Sequence, residues 1–151
     1  MLLNAGPKTD RRSTNDDPLN SALNYGYAIV RAMVARAAVT TGFIPAFGIH
    51  HRSQLNAFNL ADDLVEPFRP VVDLVAVGVF GSSVTLSASQ RADLRRVLHA
   101  AVAIDNFSDA SVIDAIDVLV DSLKVALERS DESILRLPVV KAISYIDAVR
   151  E

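Results

Sequence analysis

The chain has 151 residues, of which half are hydrophobic, with a formal net charge of −3 and no cysteine. This composition is typical of one globular domain with a real hydrophobic core, and it excludes a disordered chain, disulfide bonds, thiolate metal sites and a protein coated in positive charge. The longest apolar stretch, residues 74–80, is too short to cross a bilayer and no secretory signal pattern opens the chain, so we expect a cytoplasmic protein without membrane contact.

The chain begins with a segment that has no periodic pattern and then enters a long helix. Residues 1–15 mix Gly, Pro, Ser, Thr and charged residues, which predicts a loop or disordered start. Asp16 and Asp17 can cap a helix whose first position is Pro18, and Gly42 supplies its end. The apolar residues between them recur at helical spacing: Leu19, Leu23, Tyr27, Val30, Met33, Val34 and Ala37.

Turn residues divide the next forty residues into a loop and two helices. Residues 43–50 contain proline and glycine and predict a loop. Asn59 is a plausible cap for a short helix over residues 60–68, and Pro70 begins a second helical run that ends near Phe80. Glycine and serine at residues 81–86 then interrupt the helical pattern.

The second half of the chain again shows helical periodicity. Ser87 starts a helix, and residues 102–107 read as a short extended piece or turn. Ser108 or Asp109 is predicted to cap a long amphipathic helix that ends near Arg129.

The last residues are predicted to return to helix, with a single turn over residues 132–137 and a final helix from Pro138. The fold class predicted from these elements is all-α, a helical bundle without a sizeable sheet. We expect residues 16–151 to form one helical domain.

One stretch, GIHHRSQLNAFNLADDLVEPFRPVVD at residues 48–73, gathers most of the chain's candidate chemistry. His50 and His51 are adjacent, and Asp63 and Glu66 are three apart, so the two carboxylates share a helix face. Asp62 can be explained by the helix dipole, and the histidines can be plain loop residues.

Two prolines disturb the helix at the same carboxylates. Pro67 and Pro70 stand four residues after Asp63 and Glu66, where each lacks the hydrogen bond that a helix would use. In a helix interior each would cost roughly 3 kcal/mol or more, which is easier to understand where side chains must be held in a fixed geometry.

The donor types in this stretch suit a hard divalent ion. One imidazole with carboxylate oxygens is a fitting ligand set for Mg²⁺ or Mn²⁺, whereas structural zinc would need more histidine or cysteine. Arg52 and Arg69 could hold phosphates nearby, or could be ordinary surface arginines.

These residues resemble a known family. Residues 16–51, the acidic block FNLADDLVEPFRPVVD at residues 58–73, and residues 127–138 resemble the integrase subunit of CRISPR adaptation, a metal-dependent DNA endonuclease that inserts spacers in antiviral defence. The match looks closest to the type II branch. The acidic block is the most diagnostic of the three.

The resemblance implies roles for particular residues. The family's histidine-to-glutamate spacing of fifteen selects His51 and Glu66 as catalytic residues that bind Mg²⁺ or Mn²⁺, with Asp63 as a third catalytic position in or near the site. The reaction it implies is attack of a prespacer DNA 3′-hydroxyl on a repeat phosphodiester, or of water in a hydrolytic variant. DNA contacts are then expected from Arg52, Arg69 and Arg31. A homodimer of the full-length protein and a small ferredoxin-fold adaptation subunit are the implied protein partners.

The chain also departs from the family's pattern. The family has a third metal ligand, a glutamate near an Ala-Arg-x-Tyr-Phe-like segment, and an amino-terminal β domain, whereas no glutamate precedes Glu66 here. Asp10, Asp16 and Asp17 could replace that ligand in principle, but nothing around them resembles the motif. We therefore expect the carboxy-terminal catalytic half only, incomplete by itself. The alternative is a non-catalytic helical module whose arginines bind DNA or a partner.

Overall fold

A computed structural model describes residues 18–80 and 86–140, and within them the fold is mostly helical with one small sheet. The predicted all-α class is confirmed. The elements are helices α1 (Pro18–Thr41), α2 (Asn59–Val65), α3 (Arg69–Phe80), α4 (Ala88–Leu94) and α5 (Val112–Arg129), strands β1 (Ala101–Ile104) and β2 (Phe107–Ser111), and 3₁₀ turns at Glu66–Phe68, Arg95–His99 and Glu132–Ile134.

Helix α1 is the centre of the bundle, and α2, α3 and α5 pack around it. Val30 and Val34 are completely buried, as the helical spacing of apolar residues predicts. The helix ends at Thr41, and Gly42 follows with a φ of 97°, a left-handed conformation that glycine adopts without strain. The predicted caps at residues 16 and 17, and the loop predicted for residues 1–15, lie outside the described residues.

The chain between α2 and α3 changes helix type at the two prolines. The α-helix ends at Val65, and Pro67 lies inside the 3₁₀ turn that follows. Pro70 is the second residue of α3. Both prolines therefore stand in a first turn, where a missing N–H is tolerated, and the full interior cost is avoided.

Asn59 is not the cap of α2, contrary to the sequence-based prediction. Phe58 holds the cap position without a side-chain hydrogen bond. The Asn59 side chain is buried instead and donates to the carbonyls of Ala46, at 2.9 Å, and Ser53, at 2.8 Å. The side-chain nitrogen of Asn59 therefore binds two loop carbonyls, and its side-chain oxygen, the atom that a cap would use, has no hydrogen-bond partner among the described residues.

Helix α4 begins as predicted. The Ser87 hydroxyl accepts from the Gln90 N–H at 3.2 Å, and the Gln90 side chain accepts from the Ser87 N–H at 2.9 Å, which is a complete capping box. The α-helix ends at Leu94, and a 3₁₀ turn continues the chain from Arg95.

The predicted extended piece is the first strand of a hairpin. β1 pairs antiparallel with β2, and its inward residues Val102 and Ile104 are buried. Ser108 and Asp109 lie in β2, so neither caps α5, and Ser111 does so by accepting from the Asp114 N–H at 3.2 Å.

The predicted final helix does not begin at Pro138. Val139 instead exchanges two backbone hydrogen bonds with Ala103, at 2.7 and 2.9 Å, and so extends the hairpin by an isolated bridge. The remainder of that predicted helix lies outside the described residues. In residues 18–80 and 86–140 no helix combines the length and the apolar character needed to span a bilayer.

The contact between α1 and α3 requires a glycine. A Cβ at Gly26 would lie 2.8 Å from Cγ1 of Val72, a stiff side chain that is only 1% exposed. Gly78 in α3 is different, because a Cβ there meets nothing within 4 Å.

We predict opposite effects of alanine at these two glycines. Gly26→Ala should lower the free energy of unfolding by about 1–2 kcal/mol, since overpacking outweighs the gain in helix propensity. Gly78→Ala should raise it by up to about 1 kcal/mol. Urea unfolding followed by circular dichroism measures both, and a stabilising Gly26→Ala would show that the two helices are not in this close contact.

Candidate functional site

A single buried carboxylate shapes the loop that carries the histidines. Asp63 in α2 accepts hydrogen bonds from three successive backbone N–H groups, those of Ile49 at 2.5 Å, His50 at 2.9 Å and His51 at 3.0 Å. Its side chain is only 8% exposed. The loop is therefore wrapped around the carboxylate, which accepts from three of its N–H groups in place of water.

Gly48 allows the histidine loop to lie this close to the Asp63 carboxylate. A Cβ at that position would lie 2.3 Å from the His51 carbonyl oxygen and 2.8 Å from an Asp63 carboxylate oxygen. No side chain fits there while the loop is closed. Asn59 holds the same loop from within through Ala46 and Ser53, one residue on each side of the histidines' segment.

Asp63 also fixes the His51 ring. The ring Nδ1 lies 2.6 Å from an Asp63 oxygen. Burial raises the pKa of Asp63, but the hydrogen bonds from the His50 N–H and from the His51 ring and N–H outweigh it and leave that pKa below its usual range. The ionised carboxylate can only accept, so Nδ1 is the donor in this contact, and Nε2 is the acceptor of the ring when the imidazole is neutral.

Glu66 lies in the same cavity as His51 and Asp63. The cavity has a volume of about 540 Å³ and is also walled by apolar side chains of α5, including Leu119 and Leu123. Glu66 is half-exposed, and its carboxylate accepts from Arg69 at 2.8 Å. The structure thus brings together the three residues that the sequence singled out as catalytic.

The three predicted DNA-contacting arginines have different surroundings. Arg31 makes an ion pair with Asp62 and also donates to Asn56 at 3.3 Å. The hydrogen bond from Arg31 lowers the pKa of Asp62. This pair joins α2 and its loop to α1, which favours a structural role for both residues. Arg52 is exposed beside a second cavity formed by the loop, and Arg69 contacts Glu66.

Sequence reasoning missed Tyr27 and Asp73 as neighbours of the site. The Tyr27 hydroxyl donates to Asp73, and the Arg69 guanidinium lies 4.9 Å from the centre of the Tyr27 ring. Burial raises the pKa of Tyr27, and the bond to Asp73 adds to that effect. The sequence shows that Arg69 and Asp73 are one turn apart on α3, but it does not show that both contact Tyr27 of α1.

The donor set fits part of a divalent metal site. His51 offers Nε2 and Glu66 a carboxylate, which are ligand types that Mn²⁺ accepts, and Asp63 orients the imidazole as outer carboxylates do at metal centres. No group of three or more His, Asp or Glu within residues 18–80 and 86–140 is arranged to hold a metal ion. Among the described residues the candidate donor set is therefore limited to these two side chains.

Comparison with known proteins places these residues in a family context. A family model described as "CRISPR associated protein Cas1" matches residues 2–106. The chain is 37% identical over 138 residues to the CRISPR-associated endonuclease Cas1 of Neisseria meningitidis serogroup C, covering 89% of this chain and 44% of that protein.

Two archaeal relatives match shorter segments. An endonuclease of the same name from Pyrobaculum aerophilum is 46% identical over 61 residues, which is 40% of this chain and 20% of that protein. One from Saccharolobus solfataricus is 38% identical over 88 residues, which is 58% of this chain and 24% of that protein. The chain thus spans less than half the length of each of these three relatives.

We predict that Asp63→Asn destabilises the protein in a pH-dependent way. At pH 7 the loss should be about 1–3 kcal/mol, because an amide nitrogen would face backbone N–H groups that need an acceptor. Asp63 has a folded pKa below its ordinary value of 3.8, so its contribution is present above about pH 4 and disappears as the pH falls through the lowered pKa.

Urea unfolding of the wild type and the variant between pH 7 and pH 2.5 measures this difference. The exposed Asp117 of α5 offers a matched control, since Asp117→Asn should change little at either pH. A constant difference between wild type and Asp63→Asn over the whole range would contradict the ionised, loop-binding carboxylate.

Proposed function

The chain belongs to the CRISPR-associated Cas1 family, and from that premise we propose that it is the catalytic domain of a metal-dependent DNA endonuclease and integrase of spacer acquisition. The observation that carries the proposal is the contact of His51 Nδ1 with Asp63, in a loop that brings the imidazole to the cavity of Glu66. The names of the relatives, which call them endonucleases, support the reaction class.

In this proposal His51 and Glu66 are the metal ligands, and Asp63 is a positioning residue. Asp63 holds the proton on Nδ1 and fixes the ring plane, so Nε2 stays available as a donor atom to a cation. All the close contacts found for the Asp63 oxygens are with this loop, which suits an orienting group better than a direct ligand. When bound, Mg²⁺ or Mn²⁺ would polarise a phosphoryl oxygen and neutralise its developing charge.

The DNA is the second component of the proposal. Arg52 is exposed beside the histidine loop and can bind a backbone phosphate. The reaction is a transesterification, in which a bond forms between the prespacer 3′ oxygen and a repeat phosphorus while the bond from that phosphorus to its original leaving oxygen breaks. Water takes the place of the 3′-hydroxyl in the nuclease variant. A homodimer and a small ferredoxin-fold subunit remain the proposed protein partners.

We predict that His51→Ala and Glu66→Gln each reduce Mn²⁺-dependent cleavage or joining of branched DNA by at least about 100-fold. The assay follows 5′-labelled DNA on denaturing gels, with the chain used alone and joined to the part of the Neisseria relative that it does not span. His99→Ala is the matched control, since His99 is exposed and does not line the cavities that contain His51 and Glu66, and it should retain most activity. Wild-type rates in His51→Ala would refute the ligand assignment.

A second candidate function is DNA binding without chemistry. It is favoured by the two-ligand site and by three exposed arginines, Arg36, Arg52 and Arg95, that have no carboxylate partner among the residues described. Phosphate contacts by such arginines release counterions.

For this second function we predict DNA binding without a divalent ion, weakening steeply with salt. Arg52→Ala should flatten the slope of log K against log salt concentration by about one unit, and Arg96→Ala, whose guanidinium already faces Asp93 at 3.6 Å, should change it less. Fluorescence anisotropy between low and high salt measures the slope. Affinity that is independent of salt would exclude this mode of binding.

A further inference from the structure

The predicted metal ligand Glu66 already has a cation beside it. Arg69 Nη1 lies 2.8 Å from a Glu66 oxygen, and the two side chains are 50% and 53% exposed. An ion pair with that exposure is screened by water and is readily broken. A divalent ion that binds Glu66 must therefore replace, or share the carboxylate with, a guanidinium.

Arg69 is held in place independently of Glu66. Its guanidinium carbon lies 4.9 Å from the centre of the Tyr27 ring, within the range of a cation–π contact. The Tyr27 hydroxyl in turn donates to Asp73, one turn beyond Arg69 on the same helix. The ring is thus fixed at its edge by α3 and offers its face to the guanidinium, which stays near the site even when Glu66 is not its partner.

Arg31, the neighbouring arginine, is bound more firmly to its carboxylate partner than Arg69 is. Arg31 and Arg69 border one small cavity, of about 240 Å³, together with His51 and Glu66. Arg31 donates through two nitrogens to Asp62, and Asn56 donates to the same carboxylate at 2.6 Å. Arg69 has a single carboxylate contact on a more exposed partner, so it is the arginine of this cavity that can change partners.

We propose that Arg69 is an exchange cation of the site, which neutralises Glu66 until a divalent ion binds and then moves to a phosphate oxygen of the DNA. Tyr27 and Asp73 are the positioning residues that keep the guanidinium within reach of both partners. The inference rests on the proposed role of Glu66 as a metal ligand.

The chemistry of arginine suits this exchange. A dication on Glu66 removes the attraction that held Arg69 and repels its positive charge. The planar guanidinium can then present two parallel N–H donors to a phosphate while its face remains on the Tyr27 ring. A lysine at this position would keep the charge but would lose the fork of donors.

The first experiment measures Mn²⁺ affinity by electron paramagnetic resonance on the full chain without DNA. Arg69→Ala should tighten Mn²⁺ binding by about two- to fivefold, the amount set by an exposed competing ion pair. Arg96→Ala is the matched control, because Arg96 forms another pair at i, i+3 spacing with Asp93 at 3.6 Å, and it should leave the affinity unchanged.

The possible outcomes distinguish a failure of the exchange from a failure of the proposed metal site. Unchanged or weaker Mn²⁺ binding in Arg69→Ala, with binding abolished in Glu66→Gln, overturns the exchange and leaves the proposed ligand intact. Equal Mn²⁺ binding by the wild type and Glu66→Gln overturns the proposed metal site, and the exchange with it. Absence of Mn²⁺ binding in every variant has the same consequence.

The second experiment measures the affinity for a labelled branched DNA with and without Mg²⁺. Arg69→Ala should lose several-fold in affinity with Mg²⁺ and almost nothing without it, and Tyr27→Leu should follow the same pattern more weakly. Tyr27→Phe keeps the ring and should stay closer to the wild type, with thermal unfolding confirming that each variant is folded. Equal losses of affinity with and without Mg²⁺ would make Arg69 an ordinary phosphate contact and would overturn the exchange. A Tyr27→Leu variant that binds DNA as tightly as the wild type would overturn the positioning role.

Discussion

The architecture of the site depends on one carboxylate that takes the place of water for three consecutive residues of the histidine loop. Asp63 binds three consecutive backbone N–H groups and the ring of His51, and it is almost fully buried while it does so. A loop of this kind has no helix or sheet to satisfy its donors, so an ionised side chain from the neighbouring helix takes that role. Gly48 makes the approach sterically possible. The same interaction thus orders the backbone and fixes the orientation of the imidazole.

Local signals in the sequence predicted the helices, and long-range competition explains what they missed. The spacing of apolar residues in α1 and the helix start at Ser87 depend on signals within one or two turns, and both predictions were correct. Asn59 fits a cap equally well by local rules, but carbonyls 13 and 6 residues away bind its amide. Asp109 likewise does not cap α5, because it lies in β2, which pairs with β1. That contact between two strands cannot be read from one segment of the sequence.

The sequence predicted which residues would gather in the candidate site, but not which hydrogen bonds they would form. Asp63 and Glu66 are three residues apart, which places them on one helix face, and the family's fifteen-residue spacing adds His51. Distances along the chain were therefore enough to identify this cluster. Which carboxylate orients the ring and which one remains accessible depends on burial, 8% for the Asp63 side chain against 53% for Glu66. The cation–π contact of Arg69 with Tyr27 joins α1 to α3 across the bundle, and therefore appears only when the fold is known.

The central claim is that Asp63 presents one imidazole nitrogen of His51 to the cation that Glu66 also binds. The most direct measurement is the anomalous scattering of a crystal soaked in Mn²⁺. The account predicts a peak within ligand distance of both His51 Nε2 and a Glu66 oxygen, with the His51–Asp63 contact retained. A peak bound elsewhere, no peak at saturating Mn²⁺, or side chains of His51 and Glu66 that point away from each other would contradict it.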